Sequence, residues 1–96
     1  MRIVVIKDTL AINVEKIETI RIDNTPASWI VMINEEPAQV YYHSEMTAYG
    51  KAYAYMKILI DLLANEEFVF IDARTIDGSA LHHESVMAYL ESKNVS

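Results

Sequence analysis

The chain has 96 residues, no cysteine, two glycines and a formal net charge of −6. These counts exclude disulfides, thiolate metal sites and a cysteine nucleophile, and two glycines cannot supply the three of a G-x-G-x-x-G nucleotide loop. Because a nucleic-acid binder needs clustered lysine and arginine, the excess of acidic residues predicts no direct nucleic-acid partner.

A hydrophobic content of 52% and a charged content of 23% are typical of one folded domain, which we expect to span residues 1–96. The apolar runs are shorter than the ~20 residues of a membrane span. The first run meets Lys7 too early to form the core of a signal peptide. The sequence therefore predicts a cytoplasmic protein with no membrane partner.

The first half of the chain is rich in β-branched residues and alternates apolar with polar positions. This composition predicts strands at 3–6, 10–14, 17–22, 29–33 and 39–43. Residues 34–37 contain asparagine and proline between the last two runs and predict a hairpin turn. Four or five consecutive antiparallel strands imply a meander.

From Ser44 the apolar spacing becomes helical, with Ser44 or Thr47 as the N-cap and Asn65 as the C-terminal cap. Two apolar stripes lie side by side on this helix, and together they cover an arc of about 200°. One stripe consists of Tyr49, Tyr53, Met56, Ile60 and Leu63, and the other of Ala48, Ala52, Tyr55, Leu59 and Leu62. One sheet cannot cover both, so we expect either a C-terminal helix or a second copy of the protein as a further layer.

Residues 68–72 are apolar on both sides and predict a strand placed centrally or under the helix, in the same sheet. After the Asp77-Gly78 turn, Ser79 caps a predicted helix through Ser92, which carries one apolar stripe: His83, Val86, Met87 and Leu90. The predicted fold is α+β: an antiparallel sheet of about five strands packed against one long helix, with a short C-terminal helix.

The three histidines suggest metal or acid–base chemistry, but their spacing argues against it. Adjacent helical residues such as His82 and His83 point about 100° apart, and no H-E-x-x-H pattern exists. His43 precedes Ser44, but no nucleophile-elbow pattern surrounds them. We therefore expect no metal, no cofactor and no enzymatic activity. A small enzyme or ligand-binding protein that uses His43, His82 or Asp72 is a third hypothesis.

Five of the six tyrosines lie between Tyr41 and Tyr55. Tyrosine and tryptophan are enriched at protein interfaces, because they bury a large area and keep one polar group hydrated. Successive strand residues face opposite sides, so only one of Tyr41 and Tyr42 can enter the core. The predicted contact residues are Trp29, Tyr41, Tyr42, Tyr55, Leu59 and Leu62.

Acidic residues concentrate in the last third of the chain. Residues 65–96 carry two bases and six acids, which accounts for −4 of the net charge of −6. The predicted acidic surface consists of Glu66, Glu67, Asp77 and Glu84. Such a surface either keeps the chain soluble or binds a basic site on another protein.

The segment Leu-Ala-Ile-Asn-Val-Glu-Lys-Ile-Glu-Thr-Ile-Arg-Ile at 10–22 is followed by Trp-Ile-Val-Met-Ile at 29–33 and one long helix. This order resembles small uncharacterised bacterial and phage proteins in which a curved antiparallel sheet carries one helix. Those proteins are loosely similar to pleckstrin-homology-like domains. The resemblance covers the first two-thirds of the chain and implies a fold but no activity.

These observations favour a non-catalytic interaction or regulatory module that binds an unidentified protein partner as a homodimer. The alternative is a small acidic inhibitor of the phage or mobile-element type. Such an inhibitor would block a basic nucleic-acid-binding site of a host enzyme, in an anti-CRISPR-like or other anti-defence role.

Overall fold

The computed structural model describes residues 1–77 as an α+β fold. It contains strands β1 (Ile3–Lys7), β2 (Leu10–Asn13), β3 (Ile20–Asn24), β4 (Ser28–Ile33), β5 (Glu36–Tyr42) and β6 (Phe70–Asp72), helix α1 (Ala48–Ala64), and 3₁₀ turns at Val14–Lys16 and Ala73–Thr75. The α+β class is confirmed. The helix predicted at 79–92 lies outside the described residues.

The strands form two three-stranded sheets, ordered β2-β1-β6 and β3-β4-β5. Neighbouring strands are antiparallel except β1 and β6, which run parallel. The prediction of one antiparallel sheet of about five strands is therefore wrong. The chain makes six described strands, and they divide between two sheets.

A turn after β2 carries the chain from the first sheet to the second. The side chain of Asn13 accepts the N–H of Glu15 at 2.9 Å and starts the first 3₁₀ turn. Residues 18 and 19, which follow this 3₁₀ turn, are held by Asn34. Asn34 lies in the β4–β5 turn at φ 55°, and its Oδ1 accepts the N–H groups of Glu18 and Thr19 at 2.8 and 3.1 Å. The predicted strand at 17–22 therefore begins only at residue 20.

The predicted hairpin between the fourth and fifth strands is confirmed as β4–β5. Val31 pairs with Gln39 and Met32 with Pro37, which leaves Ala38 as an extra residue in a β-bulge. Pro37 has no N–H to donate, and it lies in the outer strand of the sheet, where such a residue is tolerated.

Helix α1 begins after Thr47, the second of the two predicted caps, because the chain from Tyr42 to Glu45 folds into a turn. The carboxylate of Glu45 accepts the N–H of Tyr42 at 2.7 Å, and Glu45 N–H donates to Tyr42 O at 2.9 Å. Ser44 is therefore not the cap. Thr47 occupies the N-cap position at φ 55° and makes no side-chain capping bond. Asn65 is confirmed as the C-cap.

Arg2 fixes the C-terminal end of α1. Its guanidinium donates to Asn65 O at 2.8 Å, Leu62 O at 3.4 Å and Phe68 O at 2.9 Å. The last carbonyls of a helix lack intrahelical partners and carry partial negative charge, so a cation stabilises them there. This contact links the start of β1 to the approach to β6.

The core lies between α1 and the two sheets. Its buried residues are Val4, Ile6, Val31, Ile33, Tyr41, Ala48, Ala52, Tyr55, Leu59, Ile71, Ala73 and Ile76. Within residues 1–77, no helix has the length and apolar content needed to cross a bilayer.

The predicted strand at 68–72 is neither central nor under the helix, which corrects that expectation. Only Phe70–Asp72 is strand, and it lies at the edge of its sheet beside β1. Ile71 points into the core, while Phe68, Val69 and Phe70 are exposed. The strand β1 pairs with one side of β6, and no strand among residues 1–77 pairs with the other side.

Candidate interaction surface

Four rings gather where β4, the β5–α1 loop and α1 meet. Trp29 contacts His43 edge-on at 5.4 Å between centroids and Tyr49 edge-on at 4.8 Å. Tyr49 also contacts Tyr53 at 6.5 Å. We name Trp29, His43, Tyr49 and Tyr53 the aromatic cluster. Edge-to-face packing at these distances is the favoured geometry for aromatic pairs and fixes the rings relative to one another.

The turn before β4 positions Trp29 in this cluster. Thr25 N–H donates to Ser28 O at 2.8 Å, and Thr25 Oγ1 accepts Ser28 N–H at 3.0 Å. The ring of His43 is held to the same turn, with Nε2 at 2.9 Å from Thr25 O. A carbonyl oxygen only accepts, so Nε2 carries the proton. The cluster therefore rests on a hydrogen-bonded support.

The cluster is partly open to solvent. Trp29 and Tyr53 are half-buried, Tyr49 is 51% exposed, and His43 is exposed. Met46, in the loop that leads into α1, is 84% exposed. The rings thus combine fixed geometry with accessible apolar area, which is typical of residues that dominate protein interfaces.

The six predicted contact residues have different positions. Trp29 lies in the aromatic cluster, and Leu62 is half-buried. Tyr41 and Tyr42 face opposite sides of β5 as expected, with Tyr41 buried and Tyr42 57% exposed. Tyr42 lies on the other face of the sheet from Trp29, because Trp29 pairs in register with Tyr41.

Tyr55 and Leu59 are fully buried in the core and contribute no surface. The hydroxyl of Tyr55 donates to Ala73 O at 2.6 Å, and burial raises the pKa of Tyr55 well above its ordinary value of 10.0. Its hydroxyl therefore stays protonated at physiological pH. Tyr55 anchors α1 to the second 3₁₀ turn instead of meeting a partner.

Sequence reasoning missed Tyr49 and His43 as surface residues. Tyr49 belongs to one of the two apolar stripes of the helix, and the sequence does not show which stripe is exposed, because that depends on the orientation of the helix on the sheet. The position of His43 one residue beyond Tyr42 was a usable clue, because it places His43 on the same side of β5 as Tyr41 and hence near Trp29.

Two residues of the enzyme or ligand-binding hypothesis, His43 and Asp72, already have hydrogen-bond partners. Asp72 is occupied by Arg74, which donates Nε at 2.8 Å and Nη2 at 2.7 Å to its two oxygens. These bonds hold the pKa of Asp72 below its ordinary value of 3.8. Asp61 is paired with Lys57 at 2.7 Å.

His82 lies outside the described residues. No three His, Cys, Asp or Glu side chains among residues 1–77 are close enough to hold a metal ion. The enzyme or ligand-binding hypothesis stays a prediction.

The predicted acidic surface is only partly described. Glu66 and Glu67 are exposed in the turn after α1, where Glu67 N–H donates to the Asn65 side chain at 3.0 Å. Asp77 is exposed at the end of the described chain, and Glu84 lies outside it. The inhibitor hypothesis that depends on these residues also stays a prediction.

Comparison of the chain with models of protein families, with curated proteins and with solved structures found no match. The described residues place a partly accessible aromatic cluster on an α+β fold.

Proposed function

We propose that this protein is a non-catalytic interaction module, that it acts by binding a protein partner, and that it does so as a homodimer. The observation that supports partner binding most directly is the double edge-on contact of Trp29 with His43 and Tyr49, because half of Tyr49 remains accessible beside it. Aromatic anchors of this kind contribute most of the binding energy at protein interfaces.

The hydrogen bonds beneath the cluster favour binding without a large ordering cost. Side chains that must be immobilised on association lose conformational entropy, which weakens binding. The cluster instead rests on the Thr25–Ser28 hydrogen bonds and on the bond from His43 to Thr25 O. A partner would meet rings that are already in place.

Charge favours a protein over a nucleic acid as the partner. The chain carries −6 overall, and Lys51, on the first turn of α1, already lies 3.7 Å from Glu45. Phosphate backbones need several accessible cations on one face. An apolar, aromatic contact surrounded by polar groups is instead typical of protein interfaces.

The test compares two tyrosines of nearly equal exposure on opposite faces. Tyr49 is 51% exposed in the cluster and Tyr42 is 57% exposed outside it. A protein captured from source cells by the wild-type chain is titrated against purified Tyr49→Ala and Tyr42→Ala. We expect Tyr49→Ala to weaken binding at least about tenfold, and Tyr42→Ala to change it little.

The single tryptophan gives a direct readout of the same event. Trp29 is the only tryptophan of the chain, so a change in its emission during the titration reports on the cluster when the partner lacks tryptophan or is monitored separately. Equal affinity of the two variants, with Trp29 emission unchanged on binding, would show that the partner binds elsewhere and refute the proposed surface.

A further inference from the structure

The chain passes from β5 to α1 through residues 43–47, and Thr47 in this loop has an unfavourable backbone conformation. Thr47 lies at φ 55° and ψ 38°, in the left-handed region. A β-branched residue is rarely found there, because its Cβ lies too close to the following carbonyl oxygen. Backbone strain of this kind persists only where surrounding contacts impose it, and it is concentrated at functional sites. The contacts on both sides of Thr47 show what imposes it here.

Thr47 also lacks the capping bond that its side chain could make. A threonine at the N-cap ordinarily has extended backbone angles, and its hydroxyl then accepts the N–H of the second or third helical residue. Those residues are Tyr49 and Gly50 in α1. The hydroxyl of Thr47 instead donates to Met46 O at 2.6 Å, and its side chain makes no capping bond. The extended alternative would remove the strain and add a hydrogen bond, so other contacts must maintain the observed conformation.

Glu45 fixes the chain on the N-terminal side of Thr47. Its carboxylate accepts the N–H of Tyr42 at 2.7 Å, and its own N–H donates to Tyr42 O at 2.9 Å. The other carboxylate oxygen lies 3.7 Å from Lys51 Nζ, on the first turn of α1. A short bond to a charged acceptor is strong, whereas long and partly exposed ion pairs contribute little. The bond to Tyr42 is therefore the main contact of the Glu45 side chain.

The aromatic cluster fixes the chain on the C-terminal side of Thr47. Tyr49 packs edge-on against Trp29 with centroids 4.8 Å apart, and Ala48 beside it is buried. Thr47 lies two positions from Glu45 and two positions from Tyr49. The chain thus has little length in which to change direction between its two fixed points, and the positive φ of Thr47 provides that change.

We propose that Glu45 and Thr47 are positioning residues for the aromatic cluster. Glu45 holds Thr47 in the left-handed conformation. That conformation sets the start of α1, and with it the contact between Tyr49 and Trp29. This inference rests on the proposed function, since it names the residues that prepare the same binding surface. Without the Glu45 carboxylate, Thr47 turns to the extended conformation and caps α1, and the ring of Tyr49 moves away from Trp29.

The emission of Trp29 and the near-ultraviolet circular dichroism of the free protein test this role without a partner. Glu45→Ala should change both signals, because the ring of Tyr49 leaves Trp29. Glu45→Gln keeps an oxygen that can accept the Tyr42 N–H and loses only the ion pair, so it should retain the wild-type signals. Glu36→Ala is the matched control, since it removes a similarly exposed carboxylate that pairs with a lysine at 3.1 Å. Wild-type signals in Glu45→Ala would refute the proposal.

A second substitution at Thr47 separates positioning from a general loss of stability. Glycine adopts positive φ without steric cost and has no hydroxyl that could cap the helix. Thr47→Gly added to Glu45→Ala should therefore restore the Trp29 signals. Valine keeps the β-branched Cβ, so Thr47→Val added to Glu45→Ala should leave the signals changed. The proposal is overturned if glycine fails to restore the signals in a chain with wild-type helical circular dichroism, or if valine restores them equally.

Hydrogen exchange at the start of α1 distinguishes the release of Thr47 from fraying of the helix. In the Glu45→Ala variant, the hydroxyl of Thr47 should cap α1 by accepting an N–H from its first turn. The amide of Tyr49 or Gly50 should therefore exchange at least about threefold more slowly than in the wild type. Fraying would instead accelerate exchange throughout that turn. Faster or unchanged exchange at both amides would contradict the expected move of Thr47.

Thr47→Pro tests the same geometry while Glu45 remains, and it replaces Glu45→Ala if that variant does not fold. The proline ring fixes φ at about −65° and excludes the left-handed conformation. Thr47→Pro should therefore change the Trp29 signals in the same direction as Glu45→Ala. Wild-type signals in Thr47→Pro would show that the left-handed conformation does not place Tyr49, and would refute the proposal.

Partner binding reports separately on this role and on the proposed function. When only part of the molecules have a competent site, the apparent affinity falls by that fraction. Glu45→Ala should therefore weaken binding of the captured partner at least about fivefold, and added Thr47→Gly should restore it to within about twofold. Normal binding by Tyr49→Ala would refute the proposed function, and the signals of the free variants would still test Glu45. If Tyr49→Ala loses binding and a folded Glu45→Ala does not, only the role of Glu45 is refuted.

Discussion

The two apolar stripes of α1 have similar hydrophobicity but different environments. The core stripe, defined as Ala48, Ala52, Tyr55 and Leu59, is buried at 0–6% exposure. The outer stripe consists of Tyr49, Tyr53, Met56, Ile60 and Leu63, and its residues are half-buried or exposed. Hydrophobicity alone therefore does not decide which face of this helix enters the core.

Side-chain size explains the choice. Ala48 and Ala52 let the first turns of α1 approach the β3-β4-β5 sheet closely, and the longer Tyr55 and Leu59 then fill the core further along. The outer stripe has no small residue and would hold the helix away from the sheet. Close packing of the interior rewards the first arrangement, since voids forfeit dispersion contacts.

The largest effect that we expect is a difference in the free energy of unfolding between substitutions at two adjacent residues of α1. Leu59 is fully buried and Ile60 is 40% exposed. Leu59→Ala should lower the free energy of unfolding by about 2–5 kcal/mol, because it removes buried methyl groups and leaves a cavity. Ile60→Ala should change it by less than about 1 kcal/mol. Urea denaturation of both variants measures this difference, and equal losses would remove the distinction between the stripes.

A smaller difference in stability is expected between phenylalanine substitutions at two tyrosines. Tyr55→Phe deletes the donor to Ala73 O and leaves a buried carbonyl unpaired, which should cost about 1–3 kcal/mol. Tyr49→Phe removes a hydroxyl from a half-exposed side chain and should cost less than about 0.5 kcal/mol. The same denaturation experiment checks both values, and a Tyr55→Phe variant as stable as Tyr49→Phe would show that the hydroxyl does not anchor α1.

The stability of the protein at alkaline pH provides a further test of the role of the Tyr55 hydroxyl. Burial raises its pKa, so the folded protein keeps this hydroxyl neutral while the unfolded chain ionises above the ordinary value of 10.0. The contribution of the Tyr55 hydroxyl to the free energy of unfolding is therefore fully present below pH 10.0 and is lost as the pH rises through the folded-state pKa. Tyr55→Phe should therefore lose less stability than the wild type over that alkaline range.

Local patterns predicted many elements of the fold but not their assembly. The α+β class, the β4–β5 hairpin and the Asn65 cap follow from spacing and turn residues. The segment between the two sheets is held by long-range hydrogen bonds, such as the one that Glu18 N–H donates to the side chain of Asn34, 16 positions further along the chain. Long-range contacts of this kind leave no periodicity in the sequence.

The exposure of the residues around β6 could not be predicted from the sequence pattern either. An apolar run such as Phe68, Val69 and Phe70 usually indicates a buried strand. Here only Phe70 belongs to β6, which has a single neighbouring strand among residues 1–77, and all three side chains of the run are exposed. The aromatic cluster was half predictable, since Trp29 stood out by its type, whereas the exposure of Tyr49 depended on the orientation of α1.

The smallest effect that we expect concerns the 3₁₀ turn whose Ala73 carbonyl accepts the Tyr55 hydrogen bond. Asp72 binds the backbone N–H, Nε and Nη2 of Arg74 and so shapes the 3₁₀ turn that carries Ala73 O. Because these bonds lower the pKa of Asp72 below 3.8, its contribution to stability is present above pH 3.8 and is lost as pH falls through the folded-state pKa. Asp72→Asn should therefore be slightly less stable than the wild type at neutral pH, with a difference that closes in acid.

Asp61→Asn is the matched control for this change, since it removes the Lys57 ion pair from the solvent side of α1. Both substitutions delete one ion-paired carboxylate charge, but only Asp72 lies next to Ala73, whose carbonyl accepts the hydrogen bond from the Tyr55 hydroxyl. The near-ultraviolet circular dichroism of the tyrosines should change with Asp72→Asn and not with Asp61→Asn. If both variants left that spectrum unchanged, the Asp72–Arg74 pair would be a surface contact without influence on the core stripe.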